Sequence, residues 1–272
     1  MTMISNRLLA VLLCLAPLMA WAQSDTIPRL QEVTNTQMLG FGASEVLDTY
    51  LSPEKYSGPE LRYISHTVRQ RTGSPWRRFL IHEGNVSTNE DRSGDGTTLA
   101  ALYDFRYAVH RSWQLAGGRL QLEAGGMINP GLGVLNNTRN TNNPAQVRLF
   151  LHAGLSGAAT YRFQLFHKPW ALHYEVMAPL VGVMFSPNYG QSYYEIFSRG
   201  DYDHNAVVTT PFSAPTLRHS LTADFNLWGV RWRVGYLGDY QQAAVNNLKQ
   251  HVYTHALVIG FVRHFKITDI VP

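Results

Sequence analysis

The stretch VRWRVGYLGDY, residues 230–240, decides how this chain folds. Its even positions carry Val230, Trp232, Val234, Tyr236 and Tyr240, while Arg231, Arg233 and Asp239 fall on odd ones. Side chains of a β-strand alternate between two faces, so one face is aromatic and greasy and the other ionic. Two arginines and an aspartate on one face need either bulk water or an enclosed polar interior.

The same period of two runs from about Thr97 to the end, and no long segment shows a helical period. Between residues 147 and 165, Val147, Leu149, Leu151, Ala153, Leu155, Ala159, Tyr161 and Phe163 share one face. Arg148, His152, Ser156, Thr160 and Arg162 share the other, with Phe150 as the exception. In LRHSLTADFNL, residues 217–227, Leu217, Leu221, Ala223 and Phe225 oppose Arg218, Ser220, Thr222 and Asp224. The last strand sets Tyr253, Leu257, Ile259, Phe261 and Phe265 against Thr254, Ala256, Gly260, His264 and Lys266. Noisier alternation spans 99–109, 119–127 and 170–184, and three further strands are expected at about 36–48, 59–70 and 76–87.

Tight reversals are expected at TGSP (Thr72), WQLAGG (Trp113), HKPW (His167) and LWG (Leu227), where Gly or Pro permits the turn. Longer polar connections are expected between them: SPEKYSG, NEDRSGDG, NNTRNTNNP, the region PNYGQSYYEIFSRGDYDHN, and AAVNNLK. Short and long connections thus alternate. An even count of about ten strands, with both termini at one end, is the arrangement of single-chain bacterial membrane barrels.

A soluble sandwich would solvate its polar face with Lys, Glu and Thr, whereas here that face carries Arg, His, Asp, Gln and Ser opposite aromatic-rich faces. The expectation is therefore an all-β fold, a closed antiparallel transmembrane β-barrel with a polar, filled lumen. Tyr253 and Phe265, about 30 Å apart along a tilted strand, match the height between two aromatic girdles. Trp76, Trp113, Trp170 and Trp228 at the short turns form the lower one. Inward parity assigns Arg106, Arg148, Arg162, Glu175, Arg218, Asp224, Arg231, Arg233 and Asp239 to a lumenal ion network, with Asp104, Glu123 and His173 beside them.

The N-terminus supports export. Arg7 precedes an apolar run from Leu8 to Met19 and the triplet Ala20-Trp21-Ala22, a signal peptide cut after Ala22. The run is shorter than the ~20 residues of a membrane-spanning helix. The single cysteine, Cys14, lies inside it, so disulfides and thiol or zinc chemistry are excluded from the mature chain. A net charge of +4 gives no case for nucleic acid. The expected organisation is signal peptide 1–22, periplasmic segment 23–35, barrel 36–267 and tail 268–272, located in the outer membrane. The expected partners are outer-membrane lipid and the barrel-assembly and periplasmic chaperone machinery; no cofactor and no metal is implied.

Two places could hold chemistry. His110-Arg111-Ser112 puts a His-x-Ser pair on inward parity beside Trp113, at the wrong end for a surface lipid hydrolase. Asp201, Asp203 and His204 in GDYDHN could activate water at the extracellular mouth, with Glu90, Asp91 or Asp95 opposite them. Both stretches also read as polar strand end and solvated turn, and the acid spacing matches no calcium loop. The leading reading is a non-enzymatic barrel with a structural, surface-interaction or narrow-pore role; the alternative is a surface hydrolase.

The aromatic stretch NYGQSYYEIFSRG, residues 188–200, should fold over or into the mouth as a lid, with Tyr189, Tyr193, Tyr194 and Phe197 packed inside. It resembles a segment of an uncharacterised family of outer-membrane barrels from the Bacteroidota. That resemblance implies a barrel without assigned activity and carries over no catalytic residue.

Overall fold

The computed structural model describes residues 29–141 and 143–269. The expected signal peptide, residues 23–28 and residues 270–272 lie outside the described residues. The strands are β1 (Arg29–Asp48), β2 (Ser52–Arg71), β3 (Trp76–Glu90), β4 (Thr97–Leu115), β5 (Leu120–Asn137) and β6 (Ala145–Leu165). They continue with β7 (Lys168–Phe185), β8 (Ala206–Thr209), β9 (Thr216–Leu227), β10 (Val230–Val245) and β11 (Leu248–Asp269). A short helix, α1 (Tyr193–Arg199), lies between β7 and β8.

All pairings are antiparallel, and β1 joins β11 from Arg29↔Asp269 to Asp48↔Gln250, which closes the sheet into a barrel. Pro211 and Pro215, which lack the ladder N–H, stand between β8 and β9. Accordingly β8 pairs with one end of β7 and β9 with the other, and together they fill one wall position. The wall therefore has ten positions, with both chain ends of the described barrel at one rim.

The apolar faces point outward: Leu155 is 59% exposed and Leu257 70%, while Glu83, Arg106 and Asp224 are buried. Closure of β1 on β11 pairs both end strands of the sheet, so the wall has no open edge strand while its outer face stays greasy. At the terminal end, Trp170 stacks on Phe225 at 4.9 Å, and Trp232 is registered beside Phe225 and Phe261. Trp76, Trp113 and Trp228 are exposed near the turns of that end. Toward the far end, Tyr240 meets Tyr253 edge-on at 5.9 Å.

Several details differ from the sequence expectation. The first strand begins at Arg29 rather than Thr36, so residues 29–35 belong to the wall. SPEKYSG opens β2, and AAVNNLK is the end of β10, a two-residue turn at Asn246-Asn247 and the start of β11. Far-end connections are thus not uniformly long. A lipid-facing band needs only ~9–11 tilted residues, whereas β1, β6 and β11 have 20, 21 and 22, so the polar outer ends stand clear of it. Asn246 and Asn247 have φ of 52° and 59°, a left-handed pair that asparagine accepts. The reversal near HKPW falls at Phe166-His167, so Lys168 and Pro169 already belong to β7.

The noise in 170–184 has a mechanical cause. A register shift between Ala153 and Gly154 inserts one extra residue in β7, so Met177 and Met184 both face inward despite opposite parity. The Phe150 exception is also explained: it lies opposite Gly131 on β5, where a Cβ would come within 2.1 Å of its ring. The glycine supplies the volume that lets one aromatic ring into a polar lumen.

Candidate functional site

Halfway along the lumen, side chains from opposite walls converge. Glu83 of β3 contacts Arg62 of β2, Arg218 of β9 and, at 2.7 Å, Arg106 of β4. Asp239 of β10 sits 3.1, 3.5 and 3.9 Å from Arg62, Arg218 and Arg106. Glu60 accepts from Arg62 at 2.8 Å and from Asn85 and Thr254. Arg106 also lies 3.7 Å from Asp104. Every member of this group is buried. Because β3 and β9 are on opposite sides of the ring, the Glu83–Arg218 pair crosses the lumen and makes a plug.

A second cluster lies toward the terminal end. Asp224 receives Arg233 through two hydrogen bonds of 2.6 and 2.9 Å, Arg231 at 3.3 Å and His173 at 3.1 Å. Arg77 pairs with Glu123, and Glu175 lies 3.7 Å from His66.

Of the residues placed in the lumen by parity, Arg106, Arg218, Asp224, Arg231, Arg233 and Asp239 lie in these two clusters, and Glu175 touches only a histidine. Two assigned arginines do not join them. The Arg148 side chain is buried but makes no hydrogen bond or ion pair among the described residues, lying instead in the field of Asp48, Asp104 and Asp239. Arg162 stands exposed near the end of β6 and donates to Gln121 at 2.8 Å and the Gly118 carbonyl. At a rim, water solvates the cation and no carboxylate is required. The centre of the plug escaped the sequence reading, because Glu60, Arg62 and Glu83 precede Thr97, where the alternation is noisier. The runs Glu60-Arg62-Ile64-His66 and Ile81-Glu83-Asn85-Ser87, each at every second position, are the signal that marks them.

His110 does face inward, but the hydroxyl it meets is Ser156 of β6, at 2.5 Å from Nε2, and not Ser112. Its Nδ1 is buried without a hydrogen-bond partner among the described residues, so none of them orients the ring as a nucleophile's base requires.

At the far mouth, Ser192 and Glu195 form a capping box around the first turn of α1, and Gly200 ends it at φ 74°. Ser-x-x-Glu was legible in the sequence, yet a seven-residue helix is too short to show a period. The helix docks through Ile196, which is fully buried, and through Tyr193. The Tyr193 hydroxyl donates to Gln146 at 2.8 Å, accepts from the Val147 amide at 2.7 Å, and its ring meets Tyr50 edge-on at 5.7 Å. Burial raises its hydroxyl's pKa above the usual tyrosine range.

Tyr189, Tyr194 and Phe197, expected inside, are exposed instead. The helix turns positions 193 and 196 to the barrel and 194 away, while Phe197 keeps one side of its ring against Phe185 of β7 at 6.2 Å and Tyr193 at 5.8 Å. With Tyr202 and Phe212, the last 98% exposed, Tyr189, Tyr194 and Phe197 leave an apolar crown at the far end.

GDYDHN is part of that rim. His204 Nδ1 and Asp203 Oδ1 are 2.5 Å apart and both side chains are exposed, while the Asp201 carbonyl accepts from Gln191. Asp91, at the β3–β4 connection, is turned into its own loop. Its carboxylate takes Ser93 at 2.8 Å, the Gly94 amide at 2.8 Å and Arg139 at 2.7 Å. The Ser93 hydroxyl, then Arg139, holds its pKa down at about 2. Glu90 and Asp95 are exposed, and no ion pair joins them to Asp201, Asp203 or His204 among the described residues.

The chain belongs to the family described as Protein of unknown function (DUF3316), whose sequence profile matches residues 7–270. No curated protein matches it. Solved structures similar in fold include the outer membrane protease OmpT of Escherichia coli, at 8% identity and a TM-score of 0.41, covering 90% of this chain and 99% of that one. The beta domain of the Bordetella autotransporter BrkA aligns at 12% identity and a TM-score of 0.39, covering 85% and 100%. Neisserial surface protein A aligns at 7% identity and a TM-score of 0.34, covering 84% and 96%.

Proposed function

We propose that this member of DUF3316 is a closed, non-conducting outer-membrane barrel whose task is surface interaction through its far-end crown. The observation that carries the reading is the plug, in which Glu83 and Asp239 bind Arg62, Arg106 and Arg218 across the lumen. A solute passing through would have to separate buried ion pairs, at several kcal/mol for each charge stripped of its partner. The greasy outer wall supports lipid as its surroundings, and export by a cleaved signal peptide agrees with that location. A source among the Bacteroidota rests on the resemblance of residues 188–200 alone.

With the chain ends in the periplasm, the crown of Tyr189, Tyr194, Phe197, Tyr202 and Phe212 faces outward from the cell. Exposed aromatic groups of this kind suit contact with another surface. Planar-bilayer recording tests the closed lumen: the purified barrel should give no current steps, and steady ohmic openings would refute it. Loss of adhesion or surface binding in a Tyr194→Ser/Phe197→Ser/Phe212→Ser variant tests the crown.

The second reading, a surface hydrolase, is favoured by the Asp203–His204 contact at the rim. Peptide and lipid turnover that disappears in His204→Ala would establish it. Turnover that is absent or unchanged would remove it.

A further inference from the structure

Between the plug and the terminal end the lumen opens into a polar vestibule of about 180 Å³. Its walls carry four arginines, Arg77, Arg162, Arg231 and Arg233, against three carboxylates, Glu123, Glu175 and Asp224. The plug and the lumen beyond it have the opposite balance. There Arg62, Arg106, Arg148 and Arg218 stand among Asp48, Glu60, Glu83, Asp104 and Asp239. Cationic surplus is therefore confined to the vestibule.

How the pairs are made concentrates that surplus further. Asp224 is spent on Arg231, Arg233 and His173, and Glu123 on Arg77. Arg162 has only neutral acceptors, and it lies in the repulsive field of Arg77 and Arg231, which that of Glu123 opposes. Arg231 and Arg233 thus share one carboxylate, Arg77 has Glu123, Glu175 meets only His66, and Arg162 alone of the four has no carboxylate partner. Two nitrogens of residues lining the vestibule, Arg77 Nε and His66 Nε2, are also closed off from solvent without a hydrogen-bond partner among the described residues. His66 itself is 4% exposed.

A cavity of this size holds roughly ten waters. Water can satisfy unpaired donors, but it cannot neutralise clustered cations in a site where low dielectric strengthens their repulsion. Guanidinium groups bind tetrahedral oxyanions through paired N–H donors, and three of them match the several acceptor oxygens of one phosphate group.

We propose that the vestibule binds one small oxyanion of phosphate chemistry, held by Arg77, Arg162 and Arg231 and entering from the terminal end. The plug makes this a blind site, so the anion enters and leaves by the same opening. The site lies at the end of the barrel opposite the crown and stands whether or not the crown has a partner.

The test is calorimetric titration of inorganic phosphate into the detergent-solubilised barrel, with chloride as the background anion. One saturable site is expected. Arg162→Gln, at an exposed rim position that tolerates the change, should weaken it at least tenfold, and Arg77→Gln/Arg162→Gln should abolish it. Arg199→Gln on α1, at the opposite end, should leave it unchanged. Glycerol 3-phosphate as a second probe distinguishes a free phosphate from an esterified headgroup, and saturable binding of either supports the site. Absence of saturable heat for both probes, or equal affinity in Arg162→Gln and the parent, overturns it.

Discussion

Glu83 is the carboxylate on which the plug depends most, and its replacement by glutamine isolates the charge while keeping the shape. The substitution leaves Arg62, Arg106 and Arg218 with Asp239 as their one common anion, at 3.1 to 3.9 Å. Removing one partner from a buried ion pair costs about 3–5 kcal/mol. The three guanidinium groups share Asp239, so the losses do not add, and about 3–5 kcal/mol is expected for the variant as a whole. That is a fall of roughly a hundred- to several-thousand-fold in the folding equilibrium. The assay is urea unfolding of the barrel refolded into lipid vesicles, followed by tryptophan fluorescence, with the slope unchanged if the unfolded state is the same. Glu83→Gln/Arg218→Gln should recover part of the loss, because it removes one cation together with the anion. Glu32→Gln, whose partner Lys266 is 3.9 Å away at an exposed site, should stay within about 0.5 kcal/mol. A loss below about 0.5 kcal/mol in Glu83→Gln, the level of ordinary surface changes, would refute a buried plug.

Leu155 on the outer wall gives a test of the lipid face: Leu155→Arg should cost about 2–4 kcal/mol in vesicles, and a neutral result would mean that the position meets water. Tyr193→Phe removes two hydrogen bonds at the root of α1, so about 1–2 kcal/mol of local stability should go and amide exchange in residues 193–199 should quicken, while the barrel strands stay protected. The Asp91 clasp has a folded-state pKa of about 2, below its unfolded value of about 3.9, so its contribution is complete above the unfolded value and is lost as pH falls through about 2. The protection factors of residues 91–96, that is exchange corrected for the intrinsic rate at each pH, should therefore be flat from neutral pH to about 4 and fall toward about 2 in the parent, whereas Asp91→Asn should be weakly protected throughout.

Much of this molecule was legible from alternation alone. In a sheet with one greasy face, a slip of one residue exposes every side chain to the wrong medium, so parity at Arg218, Arg233 or Asp239 assigns the lumen without coordinates. The even strand count and the shared rim of the termini follow from the same pattern. Parity says which side a residue faces and nothing about what stands across the lumen. Glu83 meets Arg218 only because the sheet closes, and Arg148 and Arg162, equally inward by pattern, end without a carboxylate partner because their depths place none within reach. The bulge in β7 and the Phe150–Gly131 fit depend likewise on cross-strand register. Helix α1 docks through Ile196 and Tyr193, with Phe197 half-covered against Phe185 and Tyr194 left outside, an orientation that seven residues carry too little period to reveal. Local chemistry wrote the two faces of the wall; three-dimensional closure chose the partners, since ion pairing depends on distance and a strand's sequence holds only direction.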